Sequence, residues 1–257
     1  MNPTPSGNAA EAAAYRSAIG GCIGTLVGIV ASGPLAVALV ESTHPQPPWN
    51  GAELFARSFH LLQILPYAGG LLLVLSLLIL LSSLQALLLP RDHVRASLAW
   101  LASAVFACFI LLNYSLQTAY LPALARSYQP GDGALLTALS MSNPESLAWA
   151  LEMWGWGCCG VATWLLAGVF DSTAIERATR GLERATRACC IANGLVSVTG
   201  TAWTVIRPGW VMTLPGLIAF VLWNVLLAAL AVLALVSVRR RLASLPKAAR
   251  SDGTASP

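Results

Sequence analysis

Residues 69–89 read GGLLLVLSLLILLSSLQALLL, a stretch without a single charge. Coiled as an α-helix at 1.5 Å per residue, it is about 30 Å long, the thickness of a bilayer's hydrocarbon core. Widened to its apolar limits it becomes a span over 61–89, and five other segments share its character: 17–40, 96–122, 145–170, 187–206 and 209–238. The whole chain of 257 residues agrees, at 56% hydrophobic, only 10% charged and a mean hydropathy of +0.68. An ordinary soluble domain carries roughly 25% charged residues. This composition excludes a soluble enzyme, a disordered chain and a nucleic-acid binder. It predicts an all-α polytopic bundle of six transmembrane helices over 17–238. A cytoplasmic tail (1–16) precedes the bundle, and a basic, disordered tail (239–257) follows it.

Loop charge sets the expected direction. Basic residues accumulate on the cytoplasmic side of a membrane protein. Arg16, the pair Arg91 and Arg95, the group Arg177, Arg180, Arg184 and Arg187, and the tail residues Arg239, Arg240, Arg241, Lys247 and Arg250 all fall on one side of a six-span chain. That side holds twelve of the fifteen basic residues, and the other holds Arg57, Arg126 and Arg207. Both termini are therefore expected in the cytoplasm. Trp49, Trp149, Trp203 and Trp210 fall at the outer boundary and Trp100 near the inner one, where indoles anchor spans. The N-terminal residues lack the apolar core of a signal peptide.

The loops carry their own signals. Asn50 three residues before Glu53 suggests a capping box that starts helix two near Gly51, with Pro66 kinking it later. Gln129–Gly133 reads as a turn, residues 134–141 as a short surface helix, and Asn143 as the N-cap of helix four with Pro144 at its first position. Arg207-Pro208-Gly209 is a tight turn that makes spans five and six a hairpin. The segment Glu-Arg-Ala-Thr-Arg occurs at 176–180 and again at 183–187. It predicts a cytoplasmic helix, capped by Asp171, Ser172 or Thr173, with Glu176–Arg180 and Glu183–Arg187 paired at i, i+4, that is a solvated extension of helix five or, alternatively, a surface helix on anionic lipid.

In span one, Gly20, Gly24 and Gly28 share a face. This is the small-xxx-small spacing that lets two helix backbones approach closely, within the chain or between subunits of a homo-oligomer. Gly155, Gly157 and Gly160 repeat the theme in span four.

A charge inside a span is costly and marks a candidate site. Glu152 is the one that lies well inside. His60, Gln63 and Tyr67 in span two and Asn113, Gln117 and Tyr120 in span three sit at matching depth on the outer half, with Tyr114 adjacent and Thr199, Thr201 and Thr204 near that end of span five. Glu152, His60, Gln63, Tyr67, Asn113 and Gln117 are the expected ligand-binding residues of an outward-facing pocket. The same groups also serve as interhelical hydrogen-bonding glue.

Other chemistry is not indicated. No His-Glu-x-x-His, Walker A or Gly-x-Ser-x-Gly run occurs. The histidines His44, His60 and His93 do not pair at mid-depth as haem ligands would. The vicinal pairs Cys158–Cys159 and Cys189–Cys190 point about 100° apart on a helix, so no metal and no cofactor is expected, and no disulfide framework is read from the six cysteines.

The run Asn143 to Glu152, the Gly-rich continuation to Val169-Phe170, and the segments Leu182-Glu183-Arg184-Ala185 and Ile191-Ala192-Asn193-Gly194 resemble a family of uncharacterised bacterial polytopic membrane proteins. The likeness covers spans four and five, under a third of the chain. It implies a bacterial inner-membrane location and carries over no activity. The function expected from the residues is binding of a small polar molecule or lipid from the outer side, as a sensor, carrier or accessory subunit. Two alternatives stand beside it. One is an intramembrane lipid- or isoprenoid-modifying enzyme using Glu152, with His60 its acid–base partner. The other is an assembly partner acting through the glycine face.

Overall fold

A backbone inside hydrocarbon must satisfy its own hydrogen bonds, and uncharged runs rich in Leu, Ala and Gly do so as helices. The computed structural model describes residues 5–171 and 180–246, and among these it is helical with no strand. The helices are α1 (Pro5–Val30), α2 (Ala36–Thr43), α3 (Ala52–Ser58), α4 (Leu65–Leu88), α5 (His93–Ser115), α6 (Leu121–Arg126), α7 (Gly133–Leu139), α8 (Leu147–Leu166), α9 (Arg180–Ile206) and α10 (Leu214–Ser244). A π-turn over Ala31–Leu35 joins α1 to α2, and another over Leu116–Tyr120 joins α5 to α6. Pro34 lies in the first and Pro122 follows the second. Proline deletes an i→i−4 hydrogen bond, and the wider turn accommodates the loss.

With those joins counted as continuous, six helices among the described residues are long and apolar enough to cross a membrane: Gly7–Thr43, Leu61–Leu88, His93–Arg126, Leu147–Phe170, Arg180–Ile206 and Leu214–Ser244. The expected all-α bundle is the fold. Each span packs on the next in the chain, α1 on α4, α4 on α5, α5 on α8, α8 on α9 and α9 on α10. Helix α10 then returns to α1, so the six form a closed ring around a core that includes Leu77, Leu81, Phe106, Ile110, Leu166 and Leu227.

Several boundaries differ from expectation. Residues assigned to an N-terminal tail are helical from Pro5, because Ala12 and Tyr15 bury against the bundle. Helix α10 likewise runs on to Ser244, into the stretch read as a tail, and Lys247 and Arg250 lie outside the described residues. The Asn50–Glu53 box does not form: Gly51, at φ 98°, precedes a short separate helix without a side-chain cap. Pro66 starts α4 instead of kinking it, since the first turn is where a missing N–H costs nothing. Helix four begins at Leu147, where Ser146 Oγ accepts from the Trp149 N–H at 3.3 Å. Asn143 instead braces the loop, its Nδ2 donating to the Thr137 carbonyl at 2.7 Å and its Oδ1 accepting from the Glu145 N–H at 3.2 Å.

The glycine face of α1 packs inside the chain, against α4. A Cβ on Gly21 would lie 2.6 Å from the Leu80 nitrogen and one on Gly28 2.5 Å from the Leu73 Cα, while one on Gly24 would collide with Ser76. Gly20 faces outward with nothing near it. The contact face is thus Gly21, Gly24 and Gly28, rotated slightly from the expected one.

At the opposite end from the α9–α10 turn, Arg95 Nη2 donates to the Leu165 carbonyl at 2.9 Å, and Arg91 Nη1 reaches the Val169 carbonyl at 3.5 Å. These cations cap the carbonyl end of α8, where the helix dipole favours them. From Arg180 the repeat is the expected extension of span five, but Glu183 does not pair with Arg187 on a solvated face. It is 2% exposed, because positions 183, 186, 190, 193 and 197 form the buried stripe of α9. Arg241 grips it with Nε at 3.0 Å and Nη2 at 2.5 Å, and Ser237 Oγ donates to it at 2.5 Å. Arg187 pairs instead with Asp171 at 3.4 Å. Glu176, Arg177, Ser172 and Thr173 fall outside the described residues.

Candidate functional site

Glu152 stands on the second turn of α8, about 8 Å along the helix from Leu147. It is 3% exposed and turned into the bundle toward α5. Tyr114 Oη donates to its Oε1 at 2.7 Å, Trp156 Nε1 donates to the same oxygen at 2.8 Å, and Asn113 Nδ2 donates to Oε2 at 3.0 Å. Asn113 Nδ2 also reaches the Ala148 carbonyl at 3.1 Å. An indole N–H and an amide NH₂ can only donate, so the carboxylate meets them as an acceptor on both oxygens. Among the described residues no cation forms an ion pair with it. Its partners sit at consecutive positions 113 and 114 and at i+4 on its own helix, so the cluster rivets α5 to α8.

Of the other expected residues, Gln117 is one link further out. Its Nε2 donates to the Leu139 carbonyl at 2.7 Å and to Asn113 Oδ1 at 3.4 Å, and its Oε1 accepts from the Met141 N–H at 3.4 Å. The π-turn that begins at Leu116 keeps Gln117 buried beneath Asn113. Tyr67 touches the site only through its ring, 5.9 Å from that of Tyr114. His60 and Gln63 are not brought to Glu152. They cap the first turn of span two: His60 Nδ1 accepts from the Leu62 N–H at 3.2 Å, Gln63 Oε1 accepts from the His60 N–H at 3.1 Å, and Gln63 Nε2 donates to the His44 carbonyl at 3.2 Å. The His60 ring stacks on that of His44 with centroids 3.4 Å apart. A cavity of about 10 Å³, room for a single water, separates the two clusters and is lined by Gln46, Gln63, Tyr67, Gln117 and Ser142. The expected pocket is therefore two hydrogen-bonded clusters in series. The acid–base pair Glu152 with His60 is not assembled.

A larger cavity of about 530 Å³ opens beside Glu152, between α8, α9 and α10. Its walls include Trp156, Trp203, Trp210, Phe220 and Trp223, with Gly200 on the α9 side. Three of its indole N–H groups are spent inside the protein: Trp156 on Glu152, Trp210 on Thr204 Oγ1 at 2.7 Å, and Trp223 on Ser197 Oγ at 3.0 Å. What these side chains offer the cleft is ring surface. Trp156 joins the two sites. Its ring lies 4.7 Å from Trp223 and 5.0 Å from Phe106, so the carboxylate of Glu152 fixes the inner wall from behind without lining it. Gly216 lets α10 start tight against the turn, since a Cβ there would sit 2.8 Å from Val211 Cα.

Position along the chain marks Trp203 and Trp210 as interface anchors and gives Trp156 and Trp223 no such place. Trp156 does carry a sequence signal, since it stands four residues after Glu152, on the same helix face. Nothing local signalled Trp223, whose place depends on how α10 meets α9. Comparison of the chain with protein-family models, with curated proteins and with solved structures finds no match.

Proposed function

We propose that the protein is a multi-pass inner-membrane protein, with both termini cytoplasmic, that binds a lipid or similar apolar molecule in the tryptophan cleft. It acts as a sensor, carrier or accessory subunit rather than as an enzyme. The observation that carries this reading is the cleft itself. Its volume falls in the range of small-molecule sites, and such sites are apolar and aromatic with few polar groups. The polar atoms around Glu152 are committed to one another, which favours an apolar ligand over the small polar one. Glu152 serves the site by holding Trp156. The glycine face of α1 is already covered by α4, which weighs against its use as a docking face.

The test is fluorescence quenching in bilayers whose acyl chains carry bromine. Trp156 and Trp223 are only 5% and 7% exposed, so bromine reaches them through the cleft. The expected result is a quenched buried component in the natural chain that Gly200→Leu protects, because a side chain there grows toward Trp210, 3.6 Å from the new Cβ. Identical quenching in both proteins rejects the reading.

A further inference from the structure

The turn that closes the cleft is Arg207-Pro208-Gly209, and Arg207 lies between two of the wall tryptophans in the hydrogen-bond pattern. Its N–H donates to the Trp203 carbonyl at 2.8 Å, and its carbonyl accepts from the Trp210 N–H at 3.3 Å. Its main chain is thus held between two wall residues, at the end of the cleft where interfacial Trp203 and Trp210 stand, although Arg207 itself is not part of the wall. Its side chain is exposed, and among the described residues it has no acidic partner within ion-pair distance. Glu145 is an acidic neighbour of this turn, its Cγ 3.6 Å from where a Cβ on Gly209 would stand, and it too is exposed.

We infer that the occupant of the cleft is an anionic phospholipid, with one acyl chain against Trp156, Trp210 and Trp223 and its phosphate headgroup at Arg207. This deepens the proposed function and rests on it. The apolar walls and the single cation divide the site as such a molecule is divided, with chain below and negative charge at the interface. A phosphate lies naturally at the depth of interfacial indoles, and a guanidinium binds phosphate oxygens in a bidentate fork. Glu145 sets a limit on net attraction, so the headgroup preference is moderate, about fivefold for one basic residue near an anionic headgroup.

Native mass spectrometry of the full chain in mild detergent tests this, with added phosphatidylglycerol or phosphatidylcholine of identical acyl chains. The natural chain is expected to retain phosphatidylglycerol about fivefold more tightly. Arg207→Gln is expected to erase that preference by weakening phosphatidylglycerol more than phosphatidylcholine, whose choline cation already offsets its phosphate, and Arg207→Lys to keep most of it. Gly200→Leu is expected to lose the adduct with either lipid, with Ala219→Leu on the facing wall as a second blocking variant. Glycerol phosphate, which has the headgroup charge and no chain, is expected not to compete. Equal retention of the two lipids by the natural chain, with both lost on blocking, overturns the headgroup assignment and leaves the cleft standing. Competition by glycerol phosphate overturns the acyl-chain half. Adducts that survive both blocking variants, or a lipid-free dimer that the blocking variants dissociate, overturn the cleft as a lipid site.

Discussion

Glu152 shows how one side chain can be both structural and close to function. Three donors converge on it, and replacing it leaves Tyr114 Oη and Trp156 Nε1 buried without an acceptor, while Asn113 keeps the Ala148 carbonyl. An orphaned buried donor costs about 1–3 kcal/mol. Glu152→Leu is therefore expected to lower stability by about 2–6 kcal/mol, read as a fall in the thermal midpoint followed by tryptophan emission in mild detergent. Glu152→Gln retains one carbonyl oxygen for Tyr114 and Trp156 but sets its NH₂ against the Asn113 Nδ2 donor, which still has the Ala148 carbonyl, so its loss should be smaller than that of Glu152→Leu without vanishing. Equal midpoints for all three proteins would remove the carboxylate from any role in the bundle. Glu152 and Asn113 were legible in sequence because each interrupts an apolar run. His60 and Gln63 had the right depth and helical spacing, yet they cap a turn, because span two enters through a 3₁₀ turn rather than a regular helix and its first residues face the loop at His44.

At the scale of helices, the contacts that matter join elements distant in sequence. The spacing of four in Gly20, Gly24 and Gly28 correctly marks a close approach, but Gly21, Gly24 and Gly28 at three and four describe a face nearly as well, and only the partner helix selects between them. Gly21→Leu is expected to abolish folded protein, since the new side chain meets the α4 backbone at Leu80, while Gly20→Leu leaves the thermal midpoint within the range of about 0.5 kcal/mol typical of surface changes. The reverse pattern would show that α1 packs through its other face. Glu183 departs from its expected pairing for a related reason. Arg187 offers it a favourable local pair at i+4, whereas its true partner Arg241 is 58 residues away on α10. Breaking one side of a buried pair costs about 3–5 kcal/mol. Glu183→Ala is accordingly expected to destabilise strongly, and Glu183→Leu combined with Arg241→Leu to cost less than the sum of the two single changes. Strict additivity in that cycle would show the two side chains to be uncoupled.

The molecule as a whole is a ring whose closure, α10 against α1, brings the first and last spans together. Hydropathy made the number and type of spans legible, because a bilayer tests each segment separately for length and charge. The order around the ring, and with it the cleft between α9 and α10, depends on side-chain fit between segments and left no local trace. Direction is a property of the same scale. Arg91 and Arg95 at the carbonyl end of α8, Arg180, Arg184 and Arg187 at the start of α9, and Arg239 to Arg241 at the end of α10 gather at one end of the bundle, opposite the turn at Arg207. The charge rule makes that end the proposed cytoplasmic one, and under that proposal the mouth of the cleft is expected in the outer leaflet. A green fluorescent protein fused after residue 257 is then expected to fluoresce, and alkaline phosphatase at the same place to be inactive, while alkaline phosphatase inserted at 129–132 is active. The opposite pattern would turn the cleft toward the inner leaflet. The lipid facing Arg207 would then come from the cytoplasmic monolayer, with the binding geometry unchanged, because the rivet at Glu152 and the tryptophan walls are fixed to the bundle rather than to the membrane around it.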